Sequence, residues 1–224
     1  EPEPDRENRA AVRRAMAAAD ADIAVGYDPD ADRMYAVHPD LGWLGGDRLF
    51  YLLARIVEPD RVVASIDTSP LIEEIDADIS YTRVGDVFVA AEGVAAGADL
   101  LGEPNGHYAV PAFCWYNSGI VASALIAAHA DGIADMLAPV SEYTTERRVA
   151  VYGSMAERDA ALSEAKKQVA KRFEVVSTVD GMKFEAGEVT GLVRPSGTSP
   201  KIRLVLHGTG DIGDRADEIR DAVL

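Results

Sequence analysis

The chain has 224 residues, with 48% apolar and 27% charged, a length for roughly one and a half average domains and a composition that excludes a disordered polypeptide. No apolar run approaches the roughly 20 residues that a membrane span needs, so no membrane partner is expected. Lys plus Arg number 22 against 38 Asp plus Glu, for a net charge of −16, which argues against a surface built to hold nucleic-acid phosphates.

Residues 5–20 predict a helix, with Pro4 and Asp5 at its start and Val12, Ala15, Met16 and Ala19 at helical spacing. The apolar run Ile23 to Gly26 reads as a buried strand that delivers the acidic loop 28–33, and Met34 to Val37 as a returning strand. Residues 47–57 predict an amphipathic helix with Leu49, Leu52, Leu53, Ile56 and Val57 on one face. The pattern then restarts with a strand at 61–66, a helix opened by Ser69 with Pro70 at its first position, a strand at 79–83, a helix from Asp86 and a strand at 99–101. Strands alternating with helices imply a mostly parallel, helix-covered sheet. A helix at 117–128 follows, and residues 139–145 read as a linker. Beyond it come a strand at 147–152, a helix at 156–172, strands near 174–178 and 188–193, a strand at 201–206 and a final helix from Asp211. That tail is α+β, with meander-like strands packed on helices.

Only five of the basic residues are Lys, and 22 of the acids are Asp. Such a surface suits a salt-rich, halophilic cytoplasm, where screening reduces self-repulsion; an ordinary acidic protein is the alternative. The single cysteine, Cys114, fits a reducing compartment and hence a cytoplasmic location. No signal peptide precedes the first helix, and the chain begins at Glu1 without Met, as a processed or truncated product would.

Three segments carry chemistry. Asp28, Asp30 and Asp32 alternate on a loop directly after the first strand and are followed by Arg33. Carboxylates so spaced can converge on one hard cation and leave positions open for water or a phosphate oxygen. An EF-hand is excluded, because Arg33 and Pro39 stand where Gly and Glu would be needed. Read alone, the loop is equally a solvated acidic turn, although Arg33 beside it suits a phosphate. The second segment, Gly102-Glu103-Pro104-Asn105-Gly106-His107, places acceptors and donors suited to sugar hydroxyls on a sharply turning backbone, or is merely structural. The third runs from Arg194 to Arg203 and includes Ser196, Gly197 and Thr198. Two hydroxyls, a glycine-centred turn and flanking arginines are what a dianionic phosphate requires; the alternative is a polar hairpin connection. It is not a Walker A loop, since no Gly-Lys-Ser/Thr follows the turn.

In this order, and about 75 to 90 residues apart, the three segments resemble the α-D-phosphohexomutase family: phosphomannomutase, phosphoglucomutase and phosphoglucosamine mutase. Pro2-Glu3-Pro4, Asp67-Thr68-Ser69, Arg83-Val84-Gly85-Asp86 and Asp180-Gly181-Met182-Lys183 also resemble family segments, so the likeness runs over nearly the whole chain. It implies an α/β fold of helix-covered mixed sheets followed by a C-terminal α+β domain. The implied divisions are a partial metal-binding domain at 1–60, a sugar-binding domain at 61–140 and a phosphate-binding domain at 141–224.

The resemblance further implies Mg²⁺ as cofactor, held by Asp28, Asp30 and Asp32, with Arg33 next to the transferring phosphoryl group. Glu103, Asn105 and His107 would read the sugar, although the family more often has Ser where Asn105 stands. Arg194, Ser196, Gly197, Thr198 and Arg203 would hold the non-reacting phosphate of a hexose phosphate substrate. The family's nucleophile is a phosphorylated serine in a Thr-Ala-Ser-His-Asn-Pro-like segment, and none of His38, His107, His129 and His207 follows a serine. The expectation is therefore a carboxyl-terminal portion lacking the phosphoserine domain, inactive by itself. The alternatives are a portion of a phosphoglucosamine mutase specifically, or a non-catalytic phosphosugar-binding protein. The loops leave open which hexose is preferred and in what oligomeric state.

Overall fold

In the computed structural model, residues 6–224 are described; Pro4 and Asp5, expected at the first helix start, and the segment Pro2-Glu3-Pro4 lie outside them. The chain divides into two units, one ending at Ser141 and the other running from Glu142 to Leu224.

The first unit begins with α1 (Arg6–Ala19), followed by β1 (Ala24–Tyr27), β2 (Met34–His38) and β3 (Gly42–Leu44). The three strands form an antiparallel sheet in the order β1-β2-β3. Tyr27 pairs with Met34, so the ladder ends at those two residues and the six between them, Asp28 to Arg33, form the hairpin loop. The strand expected to be buried is only half covered, because β1 is an edge strand among the described residues.

Helix α2 (Gly46–Val57) buries Leu49, Phe50, Tyr51, Leu52 and Leu53 completely or nearly so, more than the single face its spacing predicts. It stops where Glu58 takes a left-handed conformation (φ 50°) and Pro59 follows. Beyond it lie β4 (Arg61–Ser65), β5 (Asp78–Thr82), α3 (Asp86–Ala96), β6 (Leu100–Gly102) and β7 (Tyr108–Ala109). These strands order as β5-β4-β6-β7, with β4 parallel to both neighbours and β7 antiparallel to β6. The helix expected after Ser69 is a single 3-10 turn, Pro70–Glu74; the Ser69 hydroxyl caps it, and Ile75 is already extended. Two short helices, α4 (Gly119–Ala127) and α5 (Ile133–Leu137), complete the unit. No single helix among the described residues is long and apolar enough to cross a membrane.

The second unit comprises β8 (Tyr143–Val151), α6 (Met155–Arg172), β9 (Glu174–Ser177), β10 (Met182–Ala186), β11 (Val189–Pro195), β12 (Lys201–Thr209) and α7 (Gly213–Val223). Its sheet is antiparallel throughout, in the order β8-β12-β11-β10-β9. Ser154 caps α6 by accepting from the Glu157 amide, and the Glu157 carboxylate accepts from the Gly153 amide in return, a reciprocal cap that fixes the helix start. Leu162, Ala165 and Val169 of α6 and Ala216, Ile219 and Val223 of α7 pack on Phe184, Val193, Ile202, Leu204 and Leu206 of the sheet. The expected linker is mostly structured: Pro139 lies in a 3-10 turn that ends at Val140, and β8 begins at Tyr143.

Candidate functional site

The hairpin loop after β1 turns at Ala31, whose positive φ of 59° is unfavourable for a residue with a Cβ. Two backbone hydrogen bonds hold it there: the Ala31 amide donates to the Asp28 carbonyl, and the Gly119 amide donates to the Ala31 carbonyl at 2.9 Å. A Cβ at Gly119 would lie 2.7 Å from the Arg33 carbonyl oxygen, so only glycine permits the first turn of α4 to approach the loop this closely. Folded in this way, the loop brings carboxylate oxygens of Asp28, Asp30 and Asp32 within 4.8 Å of one another. The set is all oxygen and all anionic, which fits a hard divalent cation such as Mg²⁺.

Arg33 donates to Asp28 twice, from Nε to Oδ2 at 2.7 Å and from the amide to Oδ1 at 3.1 Å. Burial pushes the Asp28 carboxyl up, but the hydrogen bonds and charge of Arg33 outweigh it and hold the group below its usual value. Asp32 is pushed up, first by burial and then by the charges of Asp28 and Asp30, against the opposing pull of His107.

The Gly102 to His107 loop joins β6 to β7 and is built inward. Glu103 is 1% exposed, and its Oε1 accepts from the Gly85 amide at 2.7 Å. Its backbone closes the turn, with the Glu103 amide donating to the His107 carbonyl and the Gly106 amide to the Glu103 carbonyl. The Asn105 side chain accepts from the His107 amide at 3.1 Å and donates to Glu103 Oε2 at 3.5 Å. Gly106 takes a φ of 103°, and a Cβ there would lie 2.7 Å from the Met34 carbonyl oxygen.

That close approach joins the two loops. The Met34 amide donates to the Gly106 carbonyl, and Arg33 and His107 form an isolated antiparallel bridge. The His107 ring then lies between carboxylates, with Nε2 3.2 Å from Asp32 Oδ2 and Nδ1 3.4 Å from Glu103 Oε2. Burial pulls its pKa down, but the hydrogen bonds and charges of Glu103 and Asp32 prevail and raise it. The six residues predicted for cation and sugar thus form one connected cluster with Arg33 in the first unit.

The third segment connects β11 to β12 in the second unit. The Ser196 amide donates to the Lys201 carbonyl at 2.8 Å, and the Ser199 hydroxyl donates to Ser196 Oγ at 2.9 Å. Ser196 is buried, whereas Gly197 and Thr198 are exposed at the tip, where a Cβ on Gly197 would meet nothing within 4 Å. Arg194 and Arg203 are directly opposed across the β11-β12 ladder, so their side chains share one face of the sheet. Two like charges so placed repel, and Asp180 relieves this by accepting from Arg194 Nε and Nη2 at 3.0 and 2.9 Å. Arg203 is exposed and makes no ion pair among the described residues.

Three residues contribute in ways that the sequence did not assign to them. Gly85 fixes Glu103 through a backbone amide, which no residue pattern signals. Asp180 can be matched to Arg194 only once the β10-β11 register is known. Arg158, near the start of α6, is buried and donates from Nη1 to the carbonyls of Ser196 and Ser199 at 2.8 and 3.4 Å.

Residues 45–147 match the profile of phosphoglucomutase/phosphomannomutase alpha/beta/alpha domain III, and residues 151–224 that of the C-terminal domain. The chain belongs to the phosphoglucomutase/phosphomannomutase family. Among curated relatives, the "Probable phosphoglucosamine mutase" of Methanosarcina acetivorans is 33% identical over 226 residues, covering 97% of this chain and 50% of that protein. The protein of the same name from Methanopyrus kandleri is 30% identical and covers 99% and 51%. The chain therefore spans about half the length of the curated relatives it matches.

Solved structures agree on the phosphohexomutase fold. A phosphoglucomutase/phosphomannomutase family protein from Burkholderia thailandensis superposes with a TM-score of 0.78 at 22% identity, over 96% of this chain and 48% of that one. The N-acetylphosphoglucosamine mutase of Aspergillus fumigatus, solved with GlcNAc-6P and magnesium, gives 0.53 at 16% identity over 90% and 52%. Within the family's own divisions, Glu103, Asn105 and His107 fall in domain III and the Arg194 to Arg203 segment in the C-terminal domain, while the Asp28 to Arg33 loop lies ahead of both matched ranges.

Proposed function

We propose that this chain supplies the cation-, sugar- and phosphate-binding parts of a phosphohexomutase, an intramolecular phosphotransferase that moves a phosphoryl group between the 1- and 6-positions of a hexose phosphate through a bisphosphate intermediate. The observation that carries the reading is the junction of the two loops, in which His107 lies 3.2 Å from Asp32 and 3.4 Å from Glu103. Cation ligands and sugar-reading groups from separate segments meet there, as a phosphoryl transfer on a sugar requires. The proposed divisions are a metal-binding part at 1–60, a sugar-binding part at 61–140 and a phosphate-binding part at 141–224.

In this reading Asp28, Asp30 and Asp32 hold Mg²⁺, which when bound neutralises charge on a phosphoryl group in transit. Arg33, anchored on Asp28, stands beside that group. Asn105 and His107 present donors and acceptors to ring hydroxyls, and Glu103 sets the His107 ring. Arg203, Arg194 and the turn at Ser196, Gly197 and Thr198 grip the phosphate that is not reacting, with Asp180 orienting the Arg194 fork. The reading includes a cytoplasmic setting and, from the Asp-rich charge, a salt-rich one. The names borne by the relatives favour an amino-sugar phosphate among the hexose phosphates.

No segment of these 224 residues matches the family's phosphoserine motif, and Ser196 is buried in a turn suited to gripping phosphate. The chain alone is therefore expected to bind hexose phosphates without interconverting them. A coupled assay on glucose, mannose and glucosamine phosphates, with Mg²⁺ and a bisphosphate activator, tests this beside a longer polypeptide that contains such a serine. Turnover by the short chain at the rate of the longer one would overturn the assigned division of labour.

A further inference from the structure

A cavity of about 280 Å³ in the first unit is lined in part by Asp32, and no role assigned above uses it. Its floor is apolar and buried, Leu101 and Ala109 being 1% and 3% exposed. Asp86, at the start of α3, lines it too, together with the loop residues Trp115, Tyr116 and Asn117. Trp115 is 46% and Tyr116 73% exposed. An exposed indole and phenol beside a cavity offer flat faces on which a ring can stack.

The chemistry of the lining selects the occupant. It holds two carboxylates and no basic side chain, so a phosphate group is repelled. An uncharged ring bearing hydroxyls is attracted instead: the C–H face of a hexose lies on an indole or phenol, and its hydroxyls donate to Asp86 and exchange hydrogen bonds with Asn117. The volume lies just below the usual range of ligand clefts, which suits a single ring.

We propose that Trp115 and Tyr116 form a ledge on which the hexose ring stacks, with Asp86 and Asn117 reading its hydroxyls. The inference rests on the hexose phosphate reading above and deepens it. Asp32 lines the cavity and touches His107 at 3.2 Å, so a ring in the cavity lies next to the sugar-reading loop.

The chain has two tryptophans, and Trp43 packs on Tyr35 with Arg9 over its ring, away from the cavity lining. A Trp43→Phe variant leaves Trp115 as the sole indole reporter. In Mg²⁺ buffer, glucose 6-phosphate should shift its emission saturably and inorganic phosphate should not. By calorimetry, Trp115→Ala should weaken glucose 6-phosphate binding about tenfold, and Trp115→Phe, which keeps a stacking face, by no more than about threefold. Tyr116→Ala, at the more exposed position, should weaken it by about threefold or more without disturbing the far-UV circular dichroism. Glucose 6-phosphate binding that leaves the Trp115 emission unchanged, or that is equally tight in Trp115→Ala and Tyr116→Ala, overturns the ledge and spares the hexose phosphate reading. Absence of binding by glucose, mannose and glucosamine 6-phosphates alike overturns both.

Discussion

His107 and Asp32 are 75 residues apart in the chain, and their side chains meet at 3.2 Å. The contact depends on two glycines that bring backbones together: Gly106, against Met34, and Gly119, against Arg33. It couples a carboxylate of the 28–33 loop to a ring of the 102–107 loop, so a change in one loop is felt in the other.

The loop proposed to hold the cation yields the first prediction. Asp30→Asn should lower Mg²⁺ or Mn²⁺ affinity by about tenfold or more, since hard-cation affinity follows the number of ligand charges. Gly119→Ala removes no ligand, but its Cβ would press on the Arg33 carbonyl at 2.7 Å and should weaken the same site. Calorimetric titration of both variants checks this; unchanged affinity in both would mean that the carboxylates are a solvated turn.

The opposed arginines yield the second. A charge-assisted hydrogen bond to phosphate is worth about 1.5–3 kcal/mol, so Arg203→Ala should weaken phosphate or sulfate binding by roughly tenfold or more. Arg194→Ala should do the same and also remove the 2.9 Å ion pair with Asp180. Parent-like phosphate affinity in both variants would contradict the assignment.

Tyr108 yields a prediction about pH. Its hydroxyl donates to the Gly46 carbonyl at 2.7 Å, and burial, then the charge of Asp47, raise its phenol well above the ordinary value. A raised folded-state pKa means that the unfolded chain loses the proton first. Its contribution is therefore full below about pH 10 and is lost as the pH rises beyond that value. Urea unfolding from pH 8 upward should show stability falling above about pH 10, less steeply in Tyr108→Phe, which has no proton to lose. An identical slope in the two proteins would mean that other groups govern alkaline unfolding.

Much of this architecture is legible in the residues. The leucine spacing of α2, the helix read at 156–172 and the helix read from Asp86 are local signals, and α2, α6 and α3 form where those signals fall. The strands β3, β7 and β10 are not foreseen, because runs of two to five residues are too short to show alternation and exist only through their pairing. The Ser69-Pro70 start is a true cap, yet after one turn the chain straightens toward β5, since a start signal does not set a helix's length. At the site, the alternating carboxylates and the Arg194 to Arg203 segment are visible as residue types. The inward turn of Glu103 onto the Gly85 amide and the hold of Arg158 on the Ser196 carbonyl are not, because backbone partners leave no trace in composition.

Calorimetric titration of the 224-residue chain with glucose 1,6-bisphosphate in Mg²⁺ tests the central claim, that these loops are the binding half of a phosphohexomutase, most directly. The account predicts saturable binding that Asp30→Asn and Arg203→Ala each weaken by about tenfold. No binding, or binding that neither substitution alters, would contradict it.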